Sequence, residues 1–154
     1  MSIVICPHEV DRGDNNIKIF LAGPVQGAPN WQNTMPEIPG ITWLSPRQEN
    51  FDYTKTDAWE EQYNWETEHL RGADFILFWI PEEEVHIEGR DYAQTTRTEF
   101  GEYLALGKNI IAACHEKFPG RRYLERKLKQ YYGPETVMYK TLDELILKLK
   151  ECIK

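Results

Sequence analysis

The sequence predicts an α/β fold: a doubly wound parallel sheet of about five strands, flanked by helices. Three observations carry that expectation. Short runs such as Phe75–Ile80 are apolar at every position, as strands buried on both faces must be. These runs alternate with segments whose apolar residues recur at helical spacing, the order that builds a parallel sheet with both faces covered. The first clear strand, Ile17–Ala22, runs straight into Gly23 and Pro24. A missing side chain followed by a fixed φ makes a tight turn that a ligand can approach closely.

The elements follow in order. Residues 2–6 read as an extra edge strand beside Ile17–Ala22. Ile41–Ser45 is the second strand of the main run, and residues 57–72 are a strongly charged helix. Residues 74–80 form the third strand, with Asp74 supporting its entry, and residues 96–107 form a helix ending at Gly107. Residues 109–113 are the fourth strand, 121–130 a basic helix, 136–139 a short strand and 142–153 the last helix. Between residues 81 and 94 the periodicity is lost over a long polar stretch. Loops of that length in small domains usually serve function, and this one follows a central strand end where it can cover a site.

Size and charge exclude several classes. With 154 residues and 41% apolar content, residues 1–154 are expected to be one domain with one core. The net charge of −7 argues against tracking a nucleic-acid backbone, which needs clustered Lys and Arg. No apolar run approaches the length of a membrane span, so neither nucleic acid nor membrane is an expected partner. Cys6, Cys114 and Cys152 are an odd set without CxxC spacing, and the first residues lack a signal-peptide pattern, which makes the cytoplasm the expected compartment. The pairs Cys6 with His8 and Cys114 with His115 fall short of a four-ligand zinc framework, so no metal is expected. Asp11, Asp14, Asn15 and Asn16 around Gly13 read as a polar turn, and His69 and His86 as helix surface and loop.

The most informative stretch runs from Thr95 to Lys108. It sets Glu99 in the opening turn of a helix that follows a buried strand, where ligands of open α/β sheets gather. Thr96-Arg97-Thr98-Glu99 also spells a capping box, in which Thr96 and Glu99 satisfy each other's backbone donors. Phe100, Tyr103, Leu104 and Gly107 face the sheet at helical spacing, leaving Glu99 to one side, towards the strand ends. A carboxylate so placed can both cap and catalyse.

Three segments in this order and spacing, Ile19-Phe-Leu-Ala-Gly-Pro24, Leu70-Arg-Gly-Ala-Asp-Phe-Ile-Leu-Phe-Trp-Ile-Pro81 and Thr98-Glu-Phe-Gly-Glu-Tyr-Leu-Ala-Leu-Gly-Lys108, resemble the nucleoside 2-deoxyribosyltransferase family over roughly residues 17 to 140. The resemblance implies a flavodoxin-like fold, a deoxynucleoside and a free nucleobase as partners, and no cofactor. It implies that Glu99, in Glu99-Phe100-Gly101, is the nucleophile, and that Glu66, eight positions before Asp74, is the second catalytic carboxylate. Family members often carry Asp where Glu66 stands. Gln48 falls where the family reads the nucleobase, and its amide both donates and accepts. Phe20 occupies the position of a frequent family tyrosine, and Asp91 is the nearest acid to the usual base contact, at altered spacing. A homo-oligomer with sites near subunit interfaces is also implied, a neighbour contributing from the region matching residues 121–124.

Two carboxylates suit such chemistry. Cleavage of an N-glycosidic bond passes through an oxocarbenium-like state that an anion stabilises, and a nucleophilic carboxylate gives retention through a covalent ester. The substrate-binding set is then Phe20, Gly23, Pro24, Gln48, Asp91 and Tyr92, with Trp31, Trp79 and Tyr92 as stacking walls that exclude water. If water is the acceptor the enzyme is an N-glycosidase instead, and a 5-phosphate on its substrate would need Arg97, Arg47 or the turn at Gly23. The remaining alternative is a non-catalytic nucleotide-sensing module.

Overall fold

Parity along each strand decides which face of the sheet each side chain meets. In the computed structural model, which describes residues 2–6, 14–48 and 54–154, five strands form one parallel sheet. They are β1 (Ser2–Ile5), β2 (Ile17–Ala22), β3 (Ile41–Ser45), β4 (Phe75–Ile80) and β5 (Ile110–Cys114), in the order β1-β3-β2-β4-β5. Phe20 and Ala22 of β2, Ile76, Phe78 and Ile80 of β4, and Ala112 and Cys114 of β5 point to one face, which is covered by α1 (Thr56–Gly72), α2 (Gln94–Ala105) and α3 (Arg121–Tyr132). Ile19 and Leu21, Leu77 and Trp79, and Ile111 and Ala113 point to the other, covered by α4 (Leu142–Cys152) and the segment carrying Trp31 and Met35. This is a doubly wound α/β sheet of the flavodoxin-like kind.

The edge differs from the sequence-based expectation in two places. β1 pairs with β3, from Ser2 opposite Thr42 to Ile5 opposite Ser45, and not with β2. β2 already has β3 and β4 as neighbours, so both of its edges are taken. Residues 136–139 form no strand: Tyr139 makes a single parallel bridge to Ala113. Arg121 ties this segment down, donating to the carbonyls of Met138 at 2.9 Å and Tyr139 at 3.1 Å, and to that of Cys114. Asp74 accepts the backbone N–H of Lys18 at 2.8 Å and so locks the start of β4 to β2.

His69 is buried rather than on the helix surface. Its ring stacks on Trp65 one turn earlier, with centroids 3.9 Å apart, and its Nδ1 lies 2.8 Å from the Trp65 carbonyl. Of the polar turn around Gly13, Asp14 accepts the backbone N–H of Asn16 at 2.9 Å. His8, Asp11 and Gly13 lie outside the described residues.

α2 ends where the sequence places its stop. Gly107, at φ +73°, donates to Leu104 at 3.1 Å and Lys108 to Tyr103 at 3.2 Å, the paired bonds of a Schellman termination. Its start lies two residues before the expected one. Ala93 is the N-cap at φ +59°, and Arg97 makes the first helical bond, to the Ala93 carbonyl at 2.9 Å. Thr96 is therefore inside the helix and buried, and no side chain caps this end. The expected capping box between Thr96 and Glu99 does not form, because the helix begins before Thr96 can stand outside it.

Candidate functional site

The chain leaves β2 towards β3 on one side and returns to β4 on the other, so the strand order reverses between β2 and β4. Clefts open at such reversals, beyond the carboxyl ends of the strands. A pocket of about 230 Å³ lies there. It is walled by Gly23 and Pro24 after β2, by Trp59, Gln62, Tyr63 and Glu66 of α1, and by Arg90, Ala93, Thr96 and Glu99 from the loop and first turns of α2.

Glu66 and Glu99 thus meet in one pocket from two helices. Phe100, Tyr103 and Leu104 bury one side of α2 against the sheet, which turns Thr96 and Glu99, one turn apart, towards the pocket. Both carboxyls are half-buried. Burial pushes the Glu66 carboxyl up to about 7, while a bond from Gln62 opposes the rise. Glu99 is held well above the usual carboxylate range, first by burial, then by the charges of Glu66 and Glu102. Burial thus raises the proton affinity of both acids, and the charge of Glu66 raises that of Glu99 further.

Glycine at position 23 is dictated by contact. A Cβ there would stand 2.2 Å from the Trp79 carbonyl oxygen and 2.6 Å from Cζ2 of Trp31. The loop after β2 is pinned from two sides. The Arg47 guanidinium donates to the carbonyls of Val25 at 3.1 Å, Ala28 at 3.4 Å and Pro29 at 3.2 Å. Glu84 and Val85, of the long loop after β4, donate to the Gly27 carbonyl at 2.7 and 3.1 Å. The two loops are therefore joined beside the pocket.

The expected binding residues divide. Gly23 and Pro24 line the pocket. Gln48 does not, but its amide bonds Gln62, which does. Phe20 is 1% exposed and sits in the core against Trp65, at 6.0 Å between centroids. Asp91 is exposed and Tyr92 half-buried, its hydroxyl donating to the Pro81 carbonyl at 2.8 Å; neither is among the lining residues. Trp31 and Trp79 are core residues of the α4 face, not stacking walls. The aromatic surface comes instead from Trp59 and Tyr63, stacked at 5.4 Å and 18° on α1. Their spacing with Gln62 and Glu66 places all four on one face of a helix, the signal that would have found them. Arg97 lies over the Phe118 ring at 4.7 Å and donates to the Tyr92 carbonyl, so neither it nor Arg47 walls the pocket; the lining cation is Arg90.

Fold and site together define a flavodoxin-like α/β protein with a carboxylate pair at its switch point. Residues 16–118 match the family model described as nucleoside 2-deoxyribosyltransferase like, and the chain belongs to that family. Among curated proteins, none matches the chain.

Proposed function

We propose that the protein transfers a 2-deoxyribosyl group between nucleobases, with Glu99 as nucleophile and Glu66 as the second catalytic carboxylate. The observation that carries this reading is the presence of both carboxyls in one pocket. In the first step the Glu99 carboxylate attacks the anomeric carbon as the N-glycosidic bond breaks. The bonding electron pair leaves with the base, which takes up a proton, and Glu66 is suited to supply it. A second base then attacks the anomeric carbon. The bond from that carbon to the Glu99 oxygen breaks, its electron pair leaves with the Glu99 carboxylate, and the proton displaced from the base returns to the site. Two inversions give net retention. Trp59 and Tyr63 stand exposed at the pocket, which suits stacking by a base or cover by a second copy in a homo-oligomer.

Two measurements test the reading. Intact mass after mixing with a deoxynucleoside is expected to show an added deoxyribosyl group that is lost on adding a free base. Incubation with a second base is expected to yield the exchanged nucleoside. Accumulation of free sugar without exchange identifies an N-glycosidase, and binding without any bond cleavage identifies a sensing module.

A further inference from the structure

The hydrogen bonds behind Glu66 run in one direction. Gln62, one turn earlier on α1, sends its amide nitrogen to two acceptors, the Pro46 carbonyl at 2.9 Å and Glu66 Oε1 at 2.8 Å. A backbone carbonyl only accepts, so this end of Gln62 is its NH₂ whatever the protonation state of Glu66. Its Oε1 therefore points the other way, where it accepts from Nε2 of Gln48. That nitrogen also lies 3.6 Å from Cys6 Sγ. One carbonyl thus orients two amides in series.

We infer that Gln62 is the positioning residue of this pocket: it holds Glu66 by a fixed N–H donor while Pro46 and Gln48, beyond β3, fix its own orientation. The inference rests on the reading of Glu66 as a catalytic carboxyl. Gln62 is suited to the role because both of its ends are occupied by groups on different elements, Pro46 and Gln48 beyond β3 and Glu66 on its own helix. The titratable groups facing Glu66 are Glu99 from α2 and Cys6 after β1. Glu102 bears on Glu99, Glu61 bears on Cys6, and Arg90 shares the pocket. A donor from Gln62 is the contact that favours the ionised form of Glu66 against burial.

The test follows the carbon resonance of the Glu66 carboxyl with pH, assigned by its loss in Glu66→Gln. Replacing the donor in Gln62→Met is expected to move its midpoint upward by roughly one pH unit. The corresponding limb of the kcat profile moves with it, with KM little changed. Gln48→Met leaves Gln62 tied by Pro46 and is expected to move the midpoint by less. In the unmutated protein the side-chain NH₂ resonances of Gln62 are expected to titrate together with Glu66, a readout that needs no variant to fold. An unmoved midpoint in folded Gln62→Met, or NH₂ resonances flat across the titration of Glu66, overturns the inference. If no exchange or cleavage occurs, the proposed function fails, and the two titrations still decide the role of Gln62.

Discussion

The helices α2 and α4 carry the same four-residue signature near their starts, Thr-x-x-Glu, and use it in opposite ways. In α4, Thr141 accepts the Glu144 backbone N–H at 3.2 Å and lies 3.1 Å from Glu144 Oε1, so the acid is spent on the helix end. In α2, the helix opens on Ala93 instead, Thr96 is absorbed into the first turn, and Glu99 is released into a pocket beside Glu66. The signature by itself does not distinguish a capping acid from a reactive one. What distinguishes them is where the backbone first turns helical, a matter of a single left-handed residue.

The largest test of that difference is chemical. Glu99→Gln is expected to reduce base exchange at least about a thousandfold while leaving the fold intact, because it removes a nucleophile and no cap. Glu144→Gln is expected to leave exchange unchanged; a comparable loss there removes the distinction between the two helices.

A smaller effect concerns pH. The Glu66 carboxyl rises from 4.5 to about 7 on folding, so between these values the native protein keeps a proton that the unfolded chain releases. Stability from this source is fully present below the lower value and is lost as the pH rises through the upper one. Glu66→Gln is therefore expected to match the unmutated protein near pH 4.5 and to exceed it above pH 7 by on the order of 2 kcal/mol, read as a difference in Tm. Equal Tm differences at both pH values contradict a raised Glu66 carboxyl at the pocket.

Two backbone substitutions compare the helix starts directly. Thr141→Ala is expected to cost about 1 kcal/mol by leaving N-terminal donors of α4 unsatisfied. Ala93→Gly is expected to be neutral or to gain about 0.5 kcal/mol, since glycine adopts φ +59° without penalty, whereas alanine to glycine elsewhere in a helix costs stability. Thermal unfolding of both variants in one buffer checks the pair.

Much of the layout was legible in the sequence because strands buried on both faces leave unbroken apolar runs. β2, β3 and β4 lie where the runs lie, and the end of α2 follows from the need of Gly107 for a positive φ. The partner of β1 was not legible, since an apolar strand presents the same hydrogen-bonding edge to any neighbour. Nor was the start of α2, because an alanine forced left-handed carries no compositional mark. At the site, the place of Glu99 followed from its position in the opening turn of the helix after a buried strand, and that of Glu66 from the family pattern. Trp31 and Trp79 were misread because parity sends Trp79 with Leu77 to the α4 face, where Trp31 also lies. Trp59 and Tyr63 were missed although their spacing with Glu66 is helical, since exposed aromatics on a charged helix look like surface.

That last pair has a practical consequence. Of the five tryptophans, Trp59 is 47% exposed, whereas Trp31, Trp43, Trp65 and Trp79 are 3%, 1%, 5% and 8% exposed. A soluble collisional quencher therefore reaches essentially one indole, and that indole stands beside the cavity. The protein carries its own optical gauge of occupancy: whatever enters shields a single emitter, and titrations can be followed without a label.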